Sequence, residues 1–464
     1  MSIRRSAGIE IPEHRRDEFW VSMLLNCLTR QNKRYDNPDI VDTVFFYETL
    51  PGIIKVPRLC EIKNSDIVTH NDYTEGEDIN IEFKSQLRND LQKQAHDYMI
   101  SHDDGILKLK PGEGKTVISI ASICTMKKKS IIFVHKDSLV SQWKERFLQH
   151  TNIQPEDIGI LESSKYKEVI KKPIVIGTVQ TMCSMAKRFP SVEKDFYDAN
   201  FGVGIWDECH TTGGAPLFSK SIYYISAKKC FGLSATPSRS DHNDDIIGMH
   251  LGKVFEPEGS SNTLNPKIIM VYFDHKALFY HKYYIMYGIP DKDGARNPYP
   301  IFDSNRYKQM LVSKKNTYYV NVMRQLIKQL VARDRNILVI CDRIKLLDNF
   351  AEPFPKKDVG FFIPRSGKDR DNQLQKKLVF STPGSSRDGT DKPEFDCLVM
   401  ATPTGNLDQA IGRVCRYKAD KPQPIVLDIV DTGCDVMEKW AQKRKQYYLD
   451  KTKEGWEFQE KFIN

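Results

Sequence analysis

The sequence lacks the features of a membrane or secreted protein. Its 464 residues contain no apolar run near the ~18 residues that a membrane-spanning helix needs. The first residues, Met1-Ser-Ile-Arg-Arg-Ser-Ala-Gly8, lack the apolar core of a signal peptide. We therefore expect a soluble cytoplasmic protein.

Paired cysteines are also missing. The ten cysteines are scattered, at positions such as Cys27, Cys124, Cys230 and Cys397, with no Cys-x-x-Cys pair and no histidine at metal-ligand spacing. This pattern argues against structural zinc and against a disulfide framework. It predicts reduced thiols that are mostly buried.

A large excess of charge of one sign is absent too. The formal net charge of +8 suits transient, salt-sensitive contact with a polyanion, although charge alone does not establish a nucleic-acid partner. With 40% hydrophobic residues, a chain of this length can bury more than one core, which favours two or three domains.

The most informative segment that is present is Lys110-Pro-Gly-Glu-Gly-Lys-Thr116. An apolar strand precedes it and an apolar helix follows, the setting in which a glycine-rich loop holds the phosphates of a nucleotide. Gly112 and Gly114 let the backbone N–H groups approach the phosphates closely, and Pro111 and Glu113 complete the loop.

Two side chains of this loop have a predicted chemical role. Lys115 would place its charge on the β- and γ-phosphates, and the Thr116 hydroxyl would bind Mg²⁺. The usual pattern begins with a glycine where this chain has Leu109, so an ordinary helix-starting turn is the alternative interpretation.

Two adjacent carboxylates follow a second apolar strand, Phe201-Gly-Val-Gly-Ile-Trp206. The carboxyl ends of strands are where open α/β sheets bind ligands. Asp207 would hold the Mg²⁺ shell, and Glu208 would accept a proton from, or orient, the water that attacks the γ-phosphate. The alternative is a solvated acidic surface pair.

The C-terminal half contributes Gln409-Ala-Ile-Gly-Arg-Val-Cys-Arg416. Two arginines three residues apart lie on the same side of a predicted helical turn and can reach across a cleft. Arg413 and Arg416 are therefore candidates for stabilising the charge of the transferred phosphoryl group. Arginines on helices are otherwise mostly solvated surface residues.

Together these segments resemble the superfamily 2 helicases in order and spacing. The resemblance covers most of residues 85–450. It rests on Gly112-Glu-Gly-Lys-Thr116, Asp207-Glu-Cys-His210, Ser234-Ala-Thr236 and Gln409–Arg416, with further matches at 134–143, 178–181, 335–342 and 389–393. Within the superfamily the sequence is most similar to the compact UvsW-type helicases of large lytic phages and large DNA viruses, and more distantly to the RecG and XPB types.

The resemblance implies roles for further residues. Gln92 would read adenine, Gly389 and Asp391 would contact the nucleotide, and Gln409 would join the arginines in catalysis. His210, Ser234, Ala235 and Thr236 would couple the state of the ATP to the nucleic-acid track. Gln142, Trp143 and Thr178 would contact nucleic acid.

The predicted fold class is α/β, with two tandem RecA-like parallel-sheet domains and a small N-terminal α+β accessory domain. Residues 1–84 form the accessory domain, with a helix at Glu18–Thr29, strands near Val44 and Ile53, and basic clusters that either grip a duplex or junction or are simply solvated. Residues 85–255 form the first RecA-like domain, 256–266 a hinge, and 267–464 the second domain with a C-terminal helical tail. Nucleotide is expected between the two lobes.

Two aromatic segments have alternative interpretations. Residues 279–287 interleave tyrosines with basic residues and either stack on bases or bury their rings in the second domain, the second being favoured. The tail from Val436 is expected to pack its aromatic stripe on the second domain and to leave its charges in water.

The sequence therefore predicts an ATP- and Mg²⁺-dependent DNA helicase or translocase that remodels forked or branched DNA. An RNA-directed motor of the same superfamily is the first alternative. A nucleic-acid clamp that binds ATP without turnover is the second. We expect a monomer without a membrane partner, in the host cytoplasm if a phage or virus encodes it.

Overall fold

The fold is described from a computed structural model of the chain. It describes residues 2–33, 41–62, 64, 67–210, 215–235, 244–258, 263–276, 284–290, 296–313, 317–387, 392–404 and 407–463. The chain divides into two compact units, Met1–Ser261 and Asn262–Asn464.

The first unit begins with a small mixed sheet. Its elements are β1 (Ser2–Arg5), β2 (Gly8–Pro12), α1 (Phe19–Cys27), β3 (Thr29–Lys33), β4 (Val41–Phe45), β5 (Glu48–Leu50), β6 (Ile53–Pro57) and β7 (Val68–Asn71). The strand order is β5-β6-β2-β1-β7, with only the β1–β7 pair parallel, and β3 and β4 form a separate antiparallel pair. The predicted helix and both predicted strands are confirmed.

This N-terminal region is anchored to the rest of its unit by two buried cations. Arg58 is fully buried and donates to the carbonyl oxygens of Ala227 at 2.8 Å and Lys228 at 3.0 Å. Lys55, also buried, donates to the carbonyl oxygen of Tyr223 at 2.8 Å. A buried cation without such acceptors would be costly, so these bonds fix the docking geometry.

The remainder of the first unit is a parallel sheet covered by helices on both faces. Its elements are α2 (Asp90–Ser101), β8 (Asp104–Lys108), α3 (Lys115–Met126), β9 (Ser130–Val134), α4 (Asp137–His150), β10 (Ile158–Ile160), α5 (Tyr166–Val169), β11 (Ile174–Thr178), α6 (Val179–Arg188), α7 (Val192–Asp198), β12 (Val203–Asp207), α8 (Ala215–Ile222), β13 (Lys229–Ser234), α9 (Asp244–Leu251) and β14 (Val254–Phe255).

The order of this sheet, β10-β11-β9-β12-β13-β8-β14, brings the sequence motifs together. Every neighbouring pair is parallel. Strands such as β9 are buried along their whole length because helices cover both faces. Helices α2, α3 and α4 pack in one apolar core and α6 to α9 in the other. The carboxyl ends of β8, β12 and β13, where the motifs lie, therefore share one edge of the sheet.

The second unit contains another parallel sheet. Its elements are β15 (Lys267–Phe273), β16 (Tyr284–Pro290), β17 (Arg296–Phe302), α10 (Ser304–Leu311), α11 (Thr317–Val331), β18 (Ile337–Ile340), α12 (Ile344–Ala351), β19 (Val359–Phe362), α13 (Arg370–Leu374), β20 (Leu378–Ser381), α14 (Pro383–Arg387), β21 (Cys397–Met400), α15 (Leu407–Gly412), β22 (Ile425–Asp431), α16 (Asp435–Thr452) and β23 (Glu457–Phe462). The order is β19-β20-β18-β21-β22-β15-β23. The predicted fold class is confirmed: two seven-stranded parallel sheets and a small mixed sheet.

The C-terminal tail differs from the prediction in two respects. Its helix α16 is followed by a strand, β23, which pairs in parallel with β15 at the edge of the sheet. Arg444 is not in water, because it is buried and makes two bonds to Asp428, at 2.7 and 3.0 Å. The hydroxyl of Tyr448 donates to the same carboxylate at 2.9 Å.

The aromatic segment at 279–287 lies partly outside the described residues. From Tyr284 onward it forms β16, which pairs with β17 as an antiparallel two-stranded sheet. The tyrosine side chains of this segment lie outside what the structure describes, so the favoured burial of their rings stays a prediction.

Two further observations bear on the predicted absences. No helix in the described part of the chain is long and apolar enough to cross a membrane. All ten cysteines are free thiols, and Cys27 is the exposed one. The prediction of mostly buried thiols is confirmed.

Candidate active site

The phosphate loop connects β8 to α3. Gly112 and Gly114 have φ angles of 91° and 90°, in the left-handed region that favours glycine. A Cβ atom at Gly114 would lie 2.5 Å from Nε2 of Gln92. Position 114 therefore needs glycine for its conformation, and a Cβ there would displace the Gln92 amide. The loop leads into the N-terminus of a twelve-residue helix.

Gln92 and Glu113 hold this loop in shape. The buried Gln92 amide donates from Nε2 to the carbonyl oxygen of Glu113 at 2.7 Å and accepts at Oε1 from the backbone N–H of Arg88 at 2.8 Å. The Glu113 carboxylate accepts from the backbone N–H of Lys110 at 2.6 Å, and Pro111 is half-buried in the same turn. Gln92 thus contacts the loop itself, and its role in reading adenine stays a prediction.

The acidic pair lies at the end of β12, beside the loop. Nζ of Lys115 is 3.3 Å from Oε1 of Glu208. Glu208 has a φ of 49°, and its backbone N–H donates to Oδ1 of Asp207 at 2.9 Å. Glutamate rarely adopts this left-handed conformation, and residues with such strained backbone are concentrated at functional sites. The two segments that the sequence singled out are therefore in direct contact.

The two carboxylates differ in their electrostatics. Burial, followed by the charge of Glu208, raises the pKa of Asp207 to about 6. Burial also disfavours the ionised form of Glu208, but the Lys115 ammonium and then His210 outweigh it and lower the pKa of Glu208. Lys115 thus stabilises the Glu208 carboxylate, the form that can accept a proton.

Thr116 and Asp207 fit the predicted magnesium site in their chemistry. One offers a hydroxyl oxygen at the start of α3, the other a carboxylate at the end of β12, and Mg²⁺ prefers such oxygen donors. Burial disfavours the ionised form of Asp207, so a neighbouring cation would stabilise that form strongly. Among the described residues no group of three or more His, Cys, Asp or Glu side chains could hold a metal ion by itself.

His210 connects the acidic pair to β13. Its Nδ1 is 2.6 Å from the Ser234 hydroxyl and 3.5 Å from Oε2 of Glu208. The carbonyl oxygen of Ser234 accepts from the backbone N–H of Leu109 at 3.0 Å, at the entry to the phosphate loop. Ala235 is buried next to it. The structure places His210 and Ser234 together, whereas Thr236 lies outside the described residues.

The three candidates for nucleic-acid contact have different surroundings. Gln142 is half-buried on α4. Thr178 is buried at the start of α6, where its hydroxyl accepts from the backbone N–H of Thr181 at 3.1 Å and caps the helix. Trp143 is 1% exposed, and its indole N–H donates to Oδ2 of Asp207 at 2.9 Å. This differs from the predicted contact, because a side chain so deeply buried offers no surface to a polymer.

The second unit contains the arginine motif, and here the prediction of a helical turn is wrong. Helix α15 ends at Gly412, Arg413 follows in a turn, and Arg416 forms an isolated antiparallel bridge with Thr263. Gln409 and the buried Arg413 line one small cleft, whose other walls include Pro383, Ser386 and Thr404.

A lysine that the sequence analysis missed holds the backbone of this motif. Lys421 donates from Nζ to the carbonyl oxygen of Arg416 at 2.8 Å and to that of Pro393 at 2.7 Å. Lys421 lies in a polar segment of the sequence, and no local pattern distinguishes it there from an ordinary solvated lysine. Gly389 and Asp391 lie outside the described residues.

Comparison with known proteins gives a family and relatives. Residues 82–239 match the family described as type III restriction enzyme, res subunit. Protein L396 of Acanthamoeba polyphaga mimivirus, named as an ATP-dependent RNA helicase, is 26% identical over 359 residues, covering 74% of this chain and 63% of that protein. The transcription and DNA repair factor IIH helicase/translocase subunit XPB/SSL2 of Saccharomyces cerevisiae is 25% identical over 419 residues, covering 83% of this chain and 47% of that protein. The chain thus spans less than two thirds of the length of either relative.

A solved structure supports the fold. The ATP-dependent type ISP restriction-modification enzyme LlaBIII, bound to DNA, aligns with a TM-score of 0.54 at 16% identity and covers 82% of this chain and 31% of its own. The matched family, these relatives and the two parallel sheets make the chain similar to the superfamily 2 helicases.

Proposed function

We propose that the chain is an ATP-dependent DNA helicase or translocase that acts on forked or branched DNA. The observation that carries this proposal is the contact between Lys115 and Glu208, 3.3 Å apart, with Asp207 adjacent. A phosphate-binding lysine, a candidate metal ligand and a candidate base thus meet at one edge of a parallel sheet.

Each group has a proposed part in hydrolysis. Lys115 and the backbone N–H groups of the loop bind the phosphates, and Glu208 orients the attacking water and accepts its proton. Thr116 and Asp207 would hold Mg²⁺, which would supply charge neutralisation at the phosphate oxygens. Arg413 and Arg416 are proposed to stabilise the charge on the transferred phosphoryl group.

The contact between His210 and Ser234 supports a proposed coupling of hydrolysis to movement. Ser234 bonds both His210, next to the acidic pair, and Leu109, at the entry to the phosphate loop. A change at the γ-phosphate that moves Glu208 would therefore be transmitted to β13. Loss of phosphate would then alter the grip on the nucleic acid.

Two observations favour DNA as the substrate. The relative XPB/SSL2 is named as a subunit of a transcription and DNA repair factor, and the aligned restriction enzyme is bound to DNA. We propose contact mainly with phosphates and sugars, which gives weak base specificity and an affinity that falls with salt. The viral relative supports the host cytoplasm as the compartment.

RNA is the second candidate substrate, because L396 is named as an RNA helicase. A panel of ATP hydrolysis measurements tests both proposals, with single-stranded DNA, duplex DNA, a fork, a four-way junction and RNA. Forked or branched DNA should give the highest rate. A higher rate with RNA would favour the second candidate, and no stimulation by any DNA would contradict the first.

The Glu208→Gln variant is the control for this panel. It should lose hydrolysis on every polymer while it still binds nucleotide. If the wild type binds ATP and nucleic acid but turns over on no polymer, the chain is an ATP-switched clamp instead.

A further inference from the structure

The indole of Trp143 lies against the candidate metal ligand. It extends from α4 into the apolar core, is 1% exposed, and donates its N–H to Oδ2 of Asp207 at 2.9 Å. The tryptophan side chain has no other polar atom, so this bond satisfies the whole hydrogen-bonding capacity of the indole.

The Asp207 carboxylate is held from two sides. Oδ2 accepts from Trp143, and Oδ1 accepts from the backbone N–H of Glu208 at 2.9 Å. Both donors are fixed, one by the packing of α4 and the other by the turn after β12. Each carboxylate oxygen can accept further bonds, so the orientation is set while capacity for a cation or its waters is kept.

We propose that Trp143 is a positioning residue for Mg²⁺ binding at Asp207. The inference rests on the proposed function, since it presupposes that Asp207 serves a nucleotide-bound metal. Mutation of a group that orients a metal ligand commonly lowers the metal affinity about 10–100-fold. Trp143 acts through Asp207 and contacts neither nucleotide nor polymer in this proposal.

A second buried tryptophan provides a matched control. Trp206 precedes Asp207 on β12, is also 1% exposed, and donates its indole N–H to the Ser221 hydroxyl at 3.0 Å. It packs in the core on the opposite face of the sheet from Trp143. Replacing either residue by Phe exchanges a buried indole for a smaller ring and removes one buried N–H donor. Only the Trp143 change removes a bond to Asp207.

The test is the Mg²⁺ dependence of ADP binding by the full chain, measured by calorimetry. The Trp143→Phe variant should need about 10–100-fold more Mg²⁺ for half-maximal enhancement of ADP affinity, with Mg²⁺-free ADP binding as in the wild type. The Trp206→Phe variant should respond to Mg²⁺ as the wild type does. Equal Mg²⁺ requirements in the two variants would overturn the inference.

A second measurement covers the case in which Trp143→Phe does not fold. The wild type has five tryptophans, so five indole N–H resonances are expected in a nitrogen-15 spectrum. Adding Mg²⁺ to the ADP-saturated protein should shift one of them, and the Trp206→Phe variant should retain that resonance. If no indole resonance shifts, or only the one lost in Trp206→Phe, the inference is wrong.

These outcomes are separable from a failure of the proposed function. A wild-type chain that neither binds ADP nor hydrolyses ATP would refute the proposed function itself. A wild-type chain that hydrolyses ATP, with Trp143→Phe unaffected in its Mg²⁺ requirement, would refute only the role of Trp143.

Discussion

His250 should make the first unit less stable in acid. It lies on α9 with 0% exposure, and neither ring nitrogen has a hydrogen-bond partner among the described residues. The Tyr223 ring packs edge-on against it at 5.0 Å, and the Arg58 guanidinium is the charge that acts on it. Burial, followed by the charge of Arg58, lowers the pKa of His250 to about 3.

The sign and size of the effect follow from proton linkage. Because the pKa of an unfolded histidine is about 6.5, the unfolded chain binds this proton more readily than the folded chain below that pH. The stability is fully present above about pH 6.5 and is lost as the pH falls towards 3. At about pH 5, some 1.5 pH units below the unfolded pKa, the loss is about 2 kcal/mol.

The measurement is urea unfolding of the full chain near pH 7.5 and near pH 5, combined with hydrogen exchange of the α9 amides. Between about pH 7.5 and about pH 5, the free energy of opening measured at the α9 amides should fall in the wild type and in the His250→Phe variant by different amounts. The fall should be about 2 kcal/mol larger in the wild type. His102→Gln, which removes an exposed histidine, is the matched control and should behave as the wild type. If His250→Phe loses as much stability as the wild type, protonation of His250 is not the cause.

Three other predictions follow from the geometry. Gly114→Ala should weaken nucleotide binding at least about tenfold, because its Cβ would clash with the Gln92 amide, whereas Gly52→Ala, also at positive φ but with nothing within 4 Å, should cost only about 1 kcal/mol of stability. Lys115→Ala and Glu208→Gln should both lose single-turnover hydrolysis, with nucleotide affinity falling mainly in the first. Arg444→Met should destabilise the second unit by about 3–5 kcal/mol in urea unfolding, because it leaves a buried carboxylate without its cation.

The fold could be predicted because its strands carry a strong local signal. A strand buried on both faces of a parallel sheet is a short continuous apolar run, as in β9 and β12. The motifs then supplied the positions of the loops at the carboxyl ends. The contact between Lys115 and Glu208 follows from that arrangement, since β8 and β12 are both neighbours of β13.

The errors lie where long-range pairing overrides local pattern. The Gln409–Arg416 segment predicts a helical turn with both arginines on one side, but the chain leaves the helix after Gly412 and Arg416 pairs with Thr263. Arg444 reads as one charge in a basic run, yet it is buried because Asp428 on β22 accepts its two bonds. Neither partner is near in sequence, so no window around the arginine contains the information.

The burial of Trp143, by contrast, does have a local signal. Val140, Trp143 and Phe147 are spaced three and four residues apart, so they share one face of α4, and all three are buried. The family resemblance assigned Trp143 to nucleic acid because the motif as a whole was expected to lie on that track. Helical periodicity separates the motif into a buried tryptophan and a half-buried glutamine on a different face of α4.

That separation gives α4 a specific place in the proposed mechanism. Successive residues of an α-helix point about 100° apart, so Gln142 can face outward while Trp143 reaches Asp207. A helix is stiff over one residue, and a displacement of Gln142 by bound polymer would therefore move the indole and the carboxylate that it orients. Stimulation by nucleic acid requires that the polymer bind the catalytically competent arrangement of the site better than the inactive arrangement. On the proposed function, α4 connects Gln142 to the metal ligand through one backbone step and one hydrogen bond.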